Sequence, residues 1–455
     1  MPPSLGPIPV SEIHSLIEVL GEAPQVSYAP PSIYPMSAPV FDPAGEADRS
    51  APPNGPIGIY AHAPFCNYKC TFCFYATRPV PAEAEMARYV DALDRELSWI
   101  RPNTELTQLY VGGGTPTVLP PELLGRLLSA IFGRTTSGRE VHTVECSPES
   151  ITEAHVGVLR THGIERVSMG VQTGSEGIRE TINRRHDNRQ VLEACDLLVG
   201  SGLVVNVDLI YGLPGQTEAD FQSDLELVAS RGVHSVTCYN LRVNEATPIG
   251  RLVTREGRLD AVDLVRWREL TRRVAQDCGF QQTRWHTYQR VDCETAADAA
   301  RRFRDVTGWG NQFSVGVSAR SRLSDTVFRN HKKYDAYLNH VEAGRSPVEE
   351  TKALDAFERR LRFVTLTLGE GRALERASYE REFGTSFDDD FGAPLTRLTE
   401  AGVVRDEGPD VNLTDRGRLV YDLATRAFYP ESVLQWMQER QDLVGTTVNL
   451  RPRAS

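Results

Sequence analysis

An α/β architecture is expected from this sequence: an incomplete TIM-type (β/α)6 barrel with an irregular amino-terminal arm and a small carboxy-terminal helical, winged-helix-like domain. Three observations predict it. From Ile57 onward, short β-branched runs alternate with amphipathic stretches at spacings of about 30 residues, the signature of parallel βα units. Polar and Gly-rich clusters fall at or just after the strand ends, which marks one rim of the sheet as the place where chemistry is built. The texture changes again near Lys352, where helical patterns dominate. Six units counted this way fit an incomplete barrel as well as an open sheet.

The elements follow in order. Residues 1–56 are rich in Pro and Ala and read as an arm with one helix over 11–20, capped by Ser11. Residues 57–345 form the barrel unit. Its strands are expected at 57–61, 108–111, 141–145, 166–171, 204–210 and 235–241, with helices over 83–100, 120–132, 152–162, 189–200 and 217–230. Residues 346–455 form the helical domain, with a short hairpin expected around 402–405 and 411–414.

A chain of 455 residues exceeds the roughly 250–300 at which a single core stops growing, so a large domain plus a smaller one is expected. Hydrophobic residues at 40% and charged residues at 24% describe a globular protein rather than a disordered one. Acids outnumber bases 61 to 50, and no Lys/Arg run exceeds a pair such as Arg184-Arg185. That argues against a nucleic-acid partner. No apolar run reaches the roughly 18 residues of a membrane span. The first cation is Arg49, so no secretory or transit pattern opens the chain, and a cytoplasmic location is expected.

Eight cysteines are too sparse for a disulfide scaffold. Cys66, Cys70 and Cys73 lie together, whereas Cys146, Cys195, Cys238, Cys278 and Cys293 are scattered. Cys66-x3-Cys70-x2-Cys73 supplies three thiolates, one short of a closed tetrahedral zinc site or a cluster held by four cysteines. A four-iron cube held by three ligands leaves one iron open to a reactant. Zinc would need His62 or a distant thiol as its fourth ligand.

The segment Tyr60-Ala61-His62-Ala63-Pro64-Phe65-Cys66-Asn67-Tyr68-Lys69-Cys70-Thr71-Phe72-Cys73 resembles the cluster loop of radical S-adenosylmethionine (SAM) enzymes. More narrowly it is similar to the branch containing oxygen-independent coproporphyrinogen III dehydrogenase. The likeness continues through the segments 112–117, 145–148, 168–172, 183–184 and 208–214, with a weaker echo at 414–419. It implies a 4Fe-4S cluster on Cys66, Cys70 and Cys73, and SAM chelating the open iron and cleaved to a 5′-deoxyadenosyl radical. Under that resemblance Gly113 lets the backbone approach SAM, Glu145 accepts from its amino group, and Tyr60 sits near its sulfonium. Tyr60 and Glu145 are the catalytic candidates. A second SAM is implied on Phe72, Gly114, Thr115, Gln172, Arg184, Asp208 and the backbone around Asn240. The blander readings are a tight turn for the glycines, a strand-end carboxylate for Glu145, a lining aromatic for Tyr60 and a surface salt bridge for Arg184.

Three departures from the dehydrogenase pattern bear on the reaction. Tyr75 stands where that pattern has a further Cys, Arg320 stands at an apolar position closing the SAM site, and the arm keeps only Ser32-Ile33-Tyr34-Pro35. These departures, with both SAM sets retained, lead to the expectation of a radical C-methylating or cyclopropane-forming enzyme of specialised, antibiotic-type biosynthesis. Coproporphyrinogen oxidation is the alternative. A haem chaperone is the second alternative, although its His-Asn pair aligns with Arg304-Asp305 here. The expected partners are a small-molecule substrate, a reductant such as flavodoxin or ferredoxin and, for ring closure, a separate methyltransferase. A pocket for a flat aromatic substrate is expected around Trp285, His286, Tyr288 and Trp309.

Overall fold

The computed structural model describes residues 9–20, 42–43, 55–138, 140–243, 247–256, 261–284, 286–302, 310–431 and 434. Trp285, Trp309, Arg304-Asp305 and Ser32–Pro35 lie outside the described residues. Helix α1 (Val10–Leu20) opens the chain. Its first bonds run to the Pro9 carbonyl, from Glu12 at 2.9 Å and Ile13 at 3.1 Å. Ser11 therefore sits inside the helix rather than capping it.

Six parallel strands follow: β1 (Ile57–Ala63), β2 (Thr104–Gly113), β3 (Thr143–Cys146), β4 (Arg166–Gln172), β5 (Val204–Tyr211) and β6 (Ser235–Asn240). Between them run α2 (Glu83–Leu97), α3 (Pro121–Phe132), α4 (Glu153–Thr161), α5 (Glu176–Thr181), α6 (Asn188–Gly200) and α7 (Glu218–Ala229). Local chemistry sets the helix starts. Thr152 accepts from the His155 amide, and Asp187 with Gln190 and Thr217 with Asp220 form reciprocal capping boxes. Alternate strand residues such as Ile59, Val111, Val144, Met169, Val207 and Cys238 are fully or almost fully buried against the helices. The opposite alternate set (Tyr60, Tyr110, Glu145, Arg166, Asn206 and Asp208) is polar and lines the concave side.

Beyond β6 come α8 (Pro248–Glu256), α9 (Ala261–Asp277), β7 (Phe280–Gln282), β8 (Thr287–Arg290) and α10 (Glu294–Arg302). The chain then returns to the other edge as β9 (Asn311–Val315), parallel to β1, and continues antiparallel as β10 (Arg320–Leu323), β11 (Thr326–Asn330) and β12 (Val348–Ala353). The order β12-β11-β10-β9-β1-β2-β3-β4-β5-β6-β8-β7 runs through one sheet, with Asp42–Pro43 pairing antiparallel outside β12. That sheet is not closed into a barrel. The sequence reading missed β9 to β12 because their charged residues (Arg320, Arg322, Arg329, Glu349, Glu350, Lys352) obscure the alternation that marks a strand.

After α11 (Tyr334–Glu342) a second core forms around α12 (Ala356–Gly369), α13 (Arg376–Phe383), α14 (Phe387–Glu400), α15 (Asp415–Leu419) and α16 (Tyr421–Arg426). A small antiparallel sheet of β13 (Leu374–Glu375), β14 (Val404–Asp406) and β15 (Asp410–Leu413) packs with them. Ile13, Leu16 and Ile17 of α1 and Val265 of α9 join the same core. The Arg268 guanidinium, on α9, is bidentate to Asp422 at 2.8 and 2.7 Å and donates to the Leu419 carbonyl at 2.9 Å. Among the described residues no helix is long and apolar enough to cross a membrane.

Candidate active site

The three clustered thiols sit on the loop that leaves β1, and all three are half-buried. Hydrogen bonds tie this loop down: Thr71 N to Ile182 O at 3.1 Å, Ile249 N to Thr71 O at 3.2 Å, and the Asn183 side-chain Nδ2 to Lys69 O at 2.7 Å. The Thr115 hydroxyl lies 3.7 Å from Cys66 Sγ, and Arg184 Nη1 lies 3.7 Å from Cys70 Sγ. Burial pushes the Cys66 thiol up to about 11, against the pull of the Thr115 hydroxyl. Left to itself it holds its proton at neutral pH, so iron binding must displace that proton.

Whether these residues fit a cluster or a single zinc ion turns on His62. Its Nε2 donates to the Ala76 carbonyl at 2.8 Å, which leaves Nδ1 to accept from the Tyr60 hydroxyl at 3.0 Å. Both ring nitrogens are taken, so His62 offers no lone pair as a fourth zinc ligand. Among the described residues no set of three His, Cys, Asp or Glu side chains converges on a single-ion point. Three thiols on one tied loop, with His62 committed elsewhere, leave a fourth position without a protein ligand, which suits a cube with one open iron.

The Gly-rich segment after β2 is held against β1. Gly114 N donates to Ala63 O at 2.7 Å and Thr115 N to Phe65 O at 2.9 Å. Gly113 has φ +116°, and a Cβ there would sit 2.5 Å from the His62 ring; a Cβ on Gly114 would sit 2.6 Å from the Phe65 carbonyl. The missing side chains thus make room for the protein's own cluster loop, a requirement distinct from close approach to SAM.

Behind the loop, the concave face carries a connected polar layer. Tyr60 stacks on Tyr110 with centroids 6.2 Å apart. The Tyr110 hydroxyl donates to Glu145 Oε1 at 2.8 Å and Gly113 N to Oε2 at 3.2 Å. Asn206 donates to Asp208 Oδ1 at 2.8 Å and to Ser168 Oγ at 2.9 Å, and Ser168 reaches Asp208 Oδ2 at 3.2 Å. Burial pushes the Asp208 carboxyl up to about 7, with Glu145 adding to the effect and Arg166 opposing it. Glu145 is also raised by burial. Two buried carboxyl groups with one neighbouring arginine make a layer whose ionised form a bound cation would favour.

The remaining predicted residues spread around this centre. Phe72 packs with Ile178, Ile182, Ile210 and Leu213. Gln172 ends β4 with φ +73°, at the register shift opposite Leu209. Arg184 is no surface salt bridge: it is half-buried and donates to the Gly170 carbonyl as well as facing Cys70. Asn240 is buried opposite Tyr211, and Arg320 opens β10 on the far side of β1. The His286 and Tyr239 rings lie 4.5 Å apart at a tilt of 50°, and Tyr288 is buried. Sequence reasoning passed over Tyr110, Arg166, Ser168 and Asn206. Their signal was available as period-2 polar alternation along β2, β4 and β5.

Comparison with known proteins gives this geometry a family. Residues 60–228 match the Radical SAM superfamily. The heme chaperone HemW of Bacillus subtilis is 25% identical over 386 residues, covering 82% of this chain and 99% of its own. The oxygen-independent coproporphyrinogen III oxidase of Escherichia coli is 26% identical over 390 residues, covering 81% and 84%. The solved structure of the E. coli coproporphyrinogen III oxidase (HemN) superposes with a TM-score of 0.72 at 23% identity, covering 91% of this chain and 93% of that one. These relatives overturn the expected methylating or cyclopropane-forming reaction and its place in antibiotic biosynthesis. The residues offered for it, among them Thr115, Arg184 and Asp208, serve the cluster loop and the polar layer, so their retention does not select methylene transfer. Residues 60–228 thus carry the radical SAM match, a 4Fe-4S cluster and SAM are the cofactors, and the chain resembles the oxygen-independent coproporphyrinogen III oxidase branch.

Proposed function

We propose that this protein oxidatively decarboxylates propionate side chains of a porphyrinogen, the reaction class of the coproporphyrinogen III oxidases it resembles. The observation that carries the reading is the extent of the likeness. It runs over 81% of the chain in sequence and continues past the cluster loop into the carboxy-terminal helices instead of stopping at the SAM machinery. Each propionate would lose carbon dioxide, a hydrogen atom and an electron to a one-electron acceptor, leaving a vinyl group.

Cys66, Cys70 and Cys73 would hold the cluster, which with SAM supplies hydrogen-atom abstraction from an unactivated carbon. Glu145, already accepting from Tyr110 and Gly113, keeps capacity for a ligand amino group. Tyr60, fixed by His62 and stacked on Tyr110, would sit beside the same ligand. A second SAM would use Phe72, Gly114, Thr115, Gln172, Arg184, Asp208 and Asn240, and Asp208 would ionise as it receives the cation. An electron donor of the flavodoxin or ferredoxin type is the partner this chemistry requires. Tyr75 in place of a thiol means that no role is inherited from the family's extra Cys.

The test is anaerobic incubation of reconstituted protein with coproporphyrinogen III, SAM and dithionite. Expected products are 5′-deoxyadenosine and macrocycles with vinyl groups in place of propionates. The second reading, haem delivery, is favoured by relatives such as the heme chaperone HemW of Mycobacterium tuberculosis, 27% identical over 401 residues. Stoichiometric haem binding with no macrocycle turnover would replace the first reading by the second.

A further inference from the structure

Two departures from the family pattern, Tyr75 and Arg320, meet at the rim of the site. The turn before Arg320 is fixed from several sides. Gly316 N donates to Glu96 Oε2 at 2.8 Å, Val317 N to the Tyr89 hydroxyl at 3.0 Å, and Asn330 Nδ2 to Gly316 O at 2.8 Å. Gly316 has φ +107° and Ser318 φ +60°. Arg320 therefore leaves a rigid turn at the carboxy-terminal end of β9, beside β1.

On the sheet, Arg320 stands directly opposite Arg329, and Arg329 directly opposite Glu350. Like charges in directly opposed positions repel. Glu350 is ion-paired with Arg329, which Glu349 also faces, so both neighbouring carboxylates serve Arg329. Among the described residues no hydrogen bond or ion pair is made by the Arg320 guanidinium, although it is only half exposed to solvent. Burial pulls it down to about 10, with the Tyr75 hydroxyl as its electrostatic neighbour. Tyr75 stacks on Phe74 at 4.8 Å, and Arg242 lies over the Phe74 ring at 5.5 Å. Tyr75 itself remains 54% exposed. The rim next to the cluster loop thus gathers cations and a hydroxyl donor around an aromatic pair.

We propose that Arg320, with Tyr75 and Arg242, forms a receptor for a ligand carboxylate at the mouth of the site. Arginine's planar fork suits bidentate carboxylate recognition, and the Phe74-Tyr75 pair offers a face to a flat ring. Resting on the decarboxylase reading above, the ligand is a propionate of the macrocycle that is held while another reacts. The carboxylate of SAM shares this chemistry, and the experiment separates the two sources.

Wild type, Arg320→Gln and Arg320→Lys are compared after cluster reconstitution, with equal iron content and melting temperature as the folding control. Binding of oxidised coproporphyrin III and of its methyl ester is read by fluorescence, and SAM binding by equilibrium dialysis. Loss of a charged hydrogen-bonding partner should weaken the free acid about 10- to 100-fold in Arg320→Gln. Arg320→Lys should recover part of that loss, and the ester and SAM should bind the variants as they bind wild type. A loss confined to SAM keeps the receptor and assigns it to the cofactor. Affinities for acid and SAM both within twofold of wild type overturn it. Wild type that fails to bind coproporphyrin III at all sinks the substrate reading instead, while the SAM arm still decides the receptor.

Discussion

Asp208→Asn isolates the electrostatic cost of the polar layer. The carboxyl is pushed up to about 7, first by burial and next by Glu145, whereas an unfolded chain ionises it near 3.9. Between those values the folded state holds a proton that the unfolded state has released. Stability contributed by the protonated group is therefore present at low pH and lost as pH rises toward 7. At about 1.4 kcal/mol for each tenfold in proton affinity, the full cost is of order 4 kcal/mol, of which about 3 kcal/mol develops between pH 5 and pH 8. The amide cannot ionise, and it keeps the shape: its oxygen accepts from Asn206 and its nitrogen donates to Ser168. Cluster-free Asp208→Asn should therefore gain on wild type as pH rises, melting roughly 3–5 °C higher relative to wild type at pH 8 than it does at pH 5. A difference between the two proteins that does not change with pH would refute this. Glu145, also raised by burial, should leave a smaller residual slope in both proteins.

Gly113→Ala adds a Cβ at φ +116° and 2.5 Å from the His62 ring. Strain and overlap together should cost about 2–4 kcal/mol in urea unfolding and lower the iron bound per chain. Tyr337→Phe removes the hydroxyl that donates to Glu96 Oε2 at 2.6 Å. Leaving that buried carboxylate one donor short should cost about 1–3 kcal/mol, read by denaturant titration. Asp422→Ala strands the buried Arg268 and should destabilise by about 3–5 kcal/mol. Replacing both residues with apolar side chains should recover most of that loss. Equal stability of the single and double variants would contradict the pairing argument.

The parallel strands and most of their helices were legible because each carries one strong local signal: β-branched alternation, an amphipathic period, or a cap such as Asp187 with Gln190. The cluster loop was legible for a different reason, since three thiols must lie close in sequence when one short loop holds them. The polar layer was harder to read. Arg166, Ser168, Asn206 and Asp208 share a face only because β4 and β5 pair in register, and pairing is a long-range fact. The role of His62 is likewise invisible in sequence, for it depends on the Ala76 carbonyl and on the empty space at Gly113.

What chooses a reaction on this scaffold lies outside the SAM machinery. Cys66 to Cys73, the glycines after β2 and the Glu145 layer would be needed for SAM cleavage whatever hydrogen is removed, so their retention carries no information about substrate. The chain's individuality is concentrated where the sheet turns antiparallel. There β10 and β11 set Arg320 against Arg329, and the carboxylates of Glu350 and Glu349 serve Arg329. Like charges opposed on adjacent strands carry a repulsion that a bound anionic ligand would relieve. Anionic side chains on a flat macrocycle would meet that requirement, as would the carboxylate of SAM, and the acid and SAM arms of the Arg320→Gln comparison tell the two apart.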